Sequence, residues 1–420
     1  MYPRIAERIS AAVDAAFDRQ LEFTAELIRE PSLRAEEAGA QELLYRAMEA
    51  RGLEMDRWEI DSEELRSHVG YGPSTVSYEN SVNVVGTYKP RTTAGRSLIL
   101  NGHVDVVPAG PEGTWSRSPW DAQIVDGWMY GRGSGDMKAG LAANIFALDA
   151  VRAAGLAPTA EIIVQSVVEE ECTGNGSLAA LLRGYTADAV IIPEPEENML
   201  VRANVGVLWF KVRVEGEPTH PREMTAGFNA IDAAYTVMSN LRELEERWNR
   251  HRTSHRYFED LEHPINFNFG TIIGGDWPSS VPAWCEIDVR VAIYPGMTAD
   301  QAWHELQQCL DSTGLPLTAT KTGFYSEGYV LEEGSEAETV LAGAHREAFG
   351  EDLQSFTTPG YLDGRVFTLY GDTPTLVYGP VSEAIHGFDE RVDIESVRRI
   401  TKAIALFIAE WCGVEEATAG

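Results

Sequence analysis

From Ile5 to Glu30 apolar residues return every three or four positions, with Ile5, Ile9, Val13, Phe17, Leu21, Ala25 and Ile28 on one stripe, until Pro31 ends the pattern. That spacing predicts one or two amphipathic helices. The runs Ser97–Gly102 and Ala160–Val168 are short, apolar and bounded by turn residues or polar clusters, which predicts buried strands, and the segment Met137–Ala153 between them reads as a helix. Strand, helix, strand implies a parallel sheet. Ala187–Ile192 adds another buried strand, and polar residues follow the C-terminal end of each, where open α/β sheets place their sites.

The period changes after Gly206. Val207–Glu215 alternates like a sheet with one wet face, a long helix is predicted over Gly227–His251, and two strands follow at Asn266–Ile273 and Trp284–Tyr294. A helix at Thr298–Ser312 and a strand at Leu317–Thr322 complete the order βαββαβ, that of a ferredoxin-like α+β unit. Helical patterns then resume at Glu336–Phe349 and Glu395–Cys412, on either side of the apolar run Thr375–Tyr378. The economical architecture is a discontinuous α/β domain, residues 1–206 and 326–420, with a small α+β domain inserted at 207–325. The end of the chain, Gly413–Gly420, is expected to fray.

Charge narrows the function. With 34 Lys+Arg against 65 Asp+Glu the net charge is −31, which repels phosphate backbones and anionic lipids and argues against nucleic-acid or membrane partners. A surplus of carboxylates leaves cation chemistry open. The four cysteines, Cys172, Cys285, Cys309 and Cys412, form no CxxC pair, no run approaches the length of a membrane helix, and Met1–Ser10 carries no apolar stretch of signal-peptide type. A cytoplasmic protein is the expectation.

Five short segments carry chemistry. In Asn101–Pro108, His103 and Asp105 stand two apart at the end of an apolar strand, so they share a face and one could orient the other. Gly131–Lys138 is glycine-rich and enters a helix, but Asp136 stands where a dinucleotide loop needs glycine, and its charge would repel a pyrophosphate. Glu169, Glu170 and Glu171 follow a buried strand directly, where their mutual repulsion calls for a cation or a proton. Glu194 lies at another strand end between Pro193 and Pro195, and His386 stands in the late segment Ile385–Glu390.

Together these segments resemble the zinc-dependent family of acetylornithine deacetylase, succinyl-diaminopimelate desuccinylase, aminoacylase and carboxypeptidase G. The similarity is most specific at Gly102–Pro108 and Tyr130–Lys138, and a Trp115…Pro119-Trp120 segment joins the two. The resemblance implies a di-zinc catalytic domain with an inserted lid and dimerisation domain. Residue by residue, it puts His103 and Glu194 on one metal, Glu171 and His386 on the other, and Asp136 between them. Asp105 would orient His103, and Glu170 matches the general base; the family usually shows Asp-Glu-Glu where this chain has Glu169-Glu170-Glu171. The metals implied are two divalent ions, zinc first, with cobalt or manganese also compatible with nitrogen and oxygen ligands.

In the inserted part, His220 in Pro218–Arg222 matches a lid histidine that stabilises the oxyanion, in relatives across a dimer interface. Asn268 and Arg290 match lid positions that hold polar groups of the substrate, and Gly360 lies in the pocket loop Thr358–Arg365. Two departures concern the substrate: Ser279 replaces a common asparagine, and Tyr361 and Leu362 are bulkier than the small residues usual in that loop. The implied activity is hydrolysis of a small N-acylated amino acid or related amine by a homodimer. The alternatives are a carboxypeptidase or dipeptidase with the same centre, and a non-catalytic metal or amino-acid binding protein. The remaining histidines, His68, His251, His255, His263, His304 and His345, read as structural or solvated, Trp115, Trp120 and Trp128 as packing, and Cys172 as a small buried side chain.

Overall fold

The computed structural model describes residues 3–417. The first apolar stripe forms one continuous helix, Pro3–Arg29. It packs with the helices Ala139–Ala153 and Ile394–Trp411, whose buried residues include Leu141, Ile145, Ile404 and Phe407. Beneath them runs a six-stranded sheet in the order 54–59, 82–88, 162–166, 98–100, 190–192, 375–377. Its last four strands are parallel neighbours and buried at every position, as strands covered on both faces must be.

The sheet is mixed rather than purely parallel. Val82–Tyr88 runs antiparallel to Ile162–Ser166, and Glu54–Glu59 pairs antiparallel outside it. The sequence pattern hides Val82–Tyr88 because Asn83 interrupts it, yet Asn83 is fully buried: its Nδ2 donates to the Gly176 carbonyl at 2.8 Å and its Oδ1 accepts from Val168 N at 3.2 Å. A polar side chain satisfied inside the core looks like a strand breaker in the sequence. The helix after Leu98–Leu100 is docked by Asn144, whose Nδ2 donates to the Asn101 carbonyl at 3.0 Å. It comes so close to the end of the next strand that a Cβ on Gly140 would lie 2.2 Å from the Pro193 carbonyl oxygen.

A second core occupies residues 203–325. Four antiparallel strands lie in the order 267–274, 284–293, 206–215, 317–326, and the helices Ala230–Asn249 and Ala299–Asp311 cover one face through Val237, Leu241, Ala302 and Leu306. Along the chain these elements run βαββαβ. The expected fraying at the C-terminus is corrected for the described part: Val414–Glu416 pairs antiparallel with Leu156–Pro158, and Arg8 Nη1 donates to Glu416 Oε1 at 2.6 Å. Backbone pairing and one ion pair hold a tail that has almost no apolar side chains; residues 418–420 lie outside the described part. No described helix is long and apolar enough to cross a membrane.

Candidate metal centre and substrate cleft

The functional candidates gather beyond the C-terminal ends of the parallel strands. His103 follows Leu98–Leu100 and is buried; its Nδ1 lies 2.9 Å from the Asp105 carbonyl oxygen and 3.5 Å from Asp105 Oδ1, which leaves Nε2 facing outward. That Nε2 is 3.0 Å from Asp136 Oδ1, 3.7 Å from Glu194 Oε1 and 3.8 Å from Glu170 Oε2. On the other side, His386 Nε2 is 3.3 Å from Asp136 Oδ2 and 3.1 Å from Glu171 Oε2. One carboxylate therefore presents one oxygen to each histidine. Ligand atoms of His103, Asp136 and Glu171 all lie within 4.8 Å of one another, a spacing that can hold a metal ion.

Other side chains fix these positions. The Asp105 carboxylate accepts the backbone N–H groups of Glu170 and Glu171 at 3.3 and 3.1 Å, so one residue steadies both the histidine and the glutamate turn. Glu390 Oε1 accepts the N–H groups of Gly135 and Asp136 at 3.1 and 3.2 Å, while its other oxygen pairs with buried Arg132. Arg132 also donates to the Gly387 carbonyl at 3.0 Å, which ties the loop carrying His386 to the loop carrying Asp136. His386 itself has φ 59°, a left-handed backbone uncommon for a non-glycine residue. Lys138 Nζ donates to the Leu27 and Glu30 carbonyls at 2.8 and 2.9 Å and so caps the first helix from the site side.

The three consecutive glutamates separate by direction. Glu169, at φ 69°, turns away and is buried against Arg34, the Tyr78 hydroxyl at 2.8 Å and the Thr173 hydroxyl at 2.9 Å. Glu170 faces His103, and Glu171 faces His386. Because Glu169 is the buried half of an ion pair whose Arg34 side chain stays partly exposed, Glu169→Ala should cost about 2 kcal/mol of stability in urea denaturation. Metal content should stay at the parental level. A variant of parental stability that sheds metal would place Glu169 on the cation side instead.

The electrostatics call for a cation. Burial pushes Glu194 up to about 7 and holds Glu170 well above the usual carboxylate range, with neighbouring carboxylates adding to it. Burial opposes charge on His103 too, but Glu194 and Glu170 outweigh it and raise that imidazole well above its ordinary value. Against the same cost, Glu171 and Asp136 hold His386 up to about 11. Glu194 Oε1 is buried with no hydrogen-bond partner among the described residues. An orphaned carboxylate oxygen beside a buried imidazole, in a set of nitrogen and oxygen donors, fits a divalent cation.

The cluster opens into a cleft of about 700 Å³. Asp136, Glu170, Glu171, Glu194 and His386 line it together with Asn268, Arg290 and Gly360. Arg290 is partly buried, and its guanidinium donates to Asn266 Oδ1 at 2.8 Å and to the Pro359 carbonyl at 3.2 Å. His220 is not brought to this cleft within the chain: it is exposed, and its Nδ1 accepts from Arg222 N at 3.2 Å. Arg132, Glu390 and Arg34 were not singled out from the sequence. The local signs are Arg132 inside the glycine-rich segment and Glu390 at the end of the segment Ile385–Glu390. Cys172 is partly buried, and burial holds its thiol well above the ordinary range, so it is no thiolate nucleophile.

Comparison with known proteins shows what the chain is similar to. An N-formyl-4-amino-5-aminomethyl-2-methylpyrimidine deformylase from Halalkalibacterium halodurans is 27% identical over 408 residues, covering 90% of each chain. A succinyl-diaminopimelate desuccinylase from Delftia acidovorans is 29% identical over 397 residues, covering 91% of this chain and 96% of its own. Among solved structures, a Bacillus subtilis protein described as a dinuclear metal binding peptidase superposes with a TM-score of 0.57 at 16% identity, covering 95% of this chain and 99% of its own. The sequence pattern of one family matches residues 99–410, from the strand before His103 to the helix after His386, and with that span the chain belongs to peptidase family M20/M25/M40.

Proposed function

We propose that the protein is a two-metal amide hydrolase that removes a small acyl group from an N-acylated amino acid or related amine. The observation that carries this reading is the convergence of two histidine Nε2 atoms on opposite oxygens of Asp136, with Glu170 and Glu194 beside them in a cleft. Two divalent cations, zinc or alternatively cobalt or manganese, would supply a water nucleophile at neutral pH and polarise the amide carbonyl. His103 and Glu194 would hold one, Glu171 and His386 the other, with Asp136 shared. Glu170 takes the proton of the attacking water and delivers it to the departing amine, so that the C–N bond breaks as the acyl carbon gains oxygen. Arg290 is a fixed fork suited to a carboxylate, and Asn268 and Gly360 offer polar contacts near it. The deacylases among the relatives, which act on formyl and succinyl amides, favour this reading of the substrate.

The 207–325 segment acts in this proposal as a lid and dimerisation domain. Its strand Phe267–Gly274 lies at a sheet edge, and Ile273 on that strand and Trp277 just past it are 62% and 68% exposed, apolar side chains beside unpaired backbone. A second copy covering that edge would account for both, and would let His220 reach a site that it does not reach in its own chain. Four unpaired cysteines support residence in a reducing cytoplasm.

The test is a panel of N-formyl, N-acetyl and N-succinyl amines and amino acids set against dipeptides, before and after chelation. Hydrolysis should be confined to the acylated compounds, vanish with the metal and return when zinc, cobalt or manganese is restored. Full hydrolysis by metal-free protein would refute the two-metal reading.

A further inference from the structure

Strand register gives the side of the cleft that the 206–326 sheet lines two chemically different halves. Asn268 pairs directly with Arg290, and Arg290 with Trp209, so these three side chains form one row across three strands on the same face. On the next strand, within a bulge between the pairs Leu208–Tyr325 and Phe210–Lys321, Phe324 meets Trp209 edge to face with ring centroids 5.0 Å apart. Tyr361, from the pocket loop, continues the surface at 4.1 Å from Phe324. All three rings line the cleft that holds Glu170 and Asp136.

The backbone has been cleared to seat these rings. A Cβ on Gly323 would lie 2.6 Å from the Trp209 ring, and one on Gly174, whose φ is 73°, would lie 1.9 Å from the Tyr361 hydroxyl oxygen. That hydroxyl donates to Asp363 Oδ1 at 2.9 Å and accepts from Arg365 Nε at 3.1 Å, and both partners are buried. Tyr361 is therefore held rather than merely packed, and the wall is formed before any ligand arrives.

We propose that the wall of Trp209, Phe324 and Tyr361 receives a flat aromatic or heteroaromatic ring of the substrate, while Arg290 and Asn268 hold a polar group at the other end of the row. This deepens the amide-hydrolase reading and rests on it. Aliphatic groups of equal bulk fill the same volume but cannot match the edge and face preferences of three fixed rings.

The experiment compares matched pairs: N-acetyl-phenylalanine with N-acetyl-cyclohexylalanine, and N-formyl-benzylamine with N-formyl-cyclohexylmethylamine. Each pair keeps charge and nearly keeps volume. The ring-bearing member should have kcat/KM at least about tenfold higher in one or both pairs, and Phe324→Leu should bring that ratio toward one. Equal or reversed ratios in both pairs, or a preference that survives in folded Phe324→Leu, would overturn the proposal; if the variant does not fold, the wild-type ratios decide. Where metal-loaded protein hydrolyses none of the four, the wider acyl panel decides the hydrolase reading separately. The wall is then judged by calorimetry, with benzylamine expected to bind about tenfold tighter than cyclohexylmethylamine and equal binding ruling it out.

Discussion

Glu170→Gln should lower kcat for amide hydrolysis by at least about 10²–10⁴-fold, the contribution of a positioned general base, while metal content and thermal midpoint stay at parental values. Glutamine keeps the shape of the side chain and its backbone N–H stays on the Asp105 carboxylate, so the turn is preserved. What is lost is the capacity to accept a proton. Glu170 is suited to that task because its nearest imidazole nitrogen is 3.8 Å away, whereas Glu171 sits 3.1 Å from His386 and is better placed as a ligand. Glu171→Gln should accordingly shed metal, measured by elemental analysis after gel filtration. If Glu170→Gln loses the metal and Glu171→Gln keeps it, the two roles must be exchanged.

The parts of this molecule that the sequence exposes are those written locally. Leu98–Leu100, Ile162–Ser166 and Val190–Ile192 are short apolar runs with polar residues directly after them, and His103, Glu170, Glu171 and Glu194 need only that adjacency to be noticed. The supports of the site are different in kind. Arg132 and Glu390 are 258 positions apart, and Arg34 and Glu169 are 135 apart, so no periodicity links them and only folding makes them pairs. Val82–Tyr88 escapes notice because Asn83 spends its polarity inside the core. The aromatic wall was half visible: Tyr361 stood out as too bulky for its loop, but its alignment with Trp209 and Phe324 depends on strand register and on two glycines that make room. His220 is legible as a motif in the sequence, yet it is not among the residues that line the cleft of its own chain.

Mixing Glu170→Gln protein with His220→Ala protein should restore activity that neither has alone. If His220 serves the partner's cleft, each parent is nearly inactive, one lacking the base and the other the oxyanion contact. A heterodimer holds one site in which Glu170 from one subunit meets His220 from the other, and a second site lacking both. At equal amounts and full exchange half of the dimers are mixed, so about one quarter of all sites become complete in a two-fold assembly. Recovery to roughly that fraction of wild-type kcat, following the kinetics of subunit exchange, is the expected result. The exposed strand Phe267–Gly274 gives a control: Ile273→Lys places a charge on the edge that the proposal pairs, and should yield monomers in sedimentation that cannot be complemented. Activity that stays at the parental background, despite exchange demonstrated by mass spectrometry, would mean that His220 acts within its own chain or takes no part in the reaction.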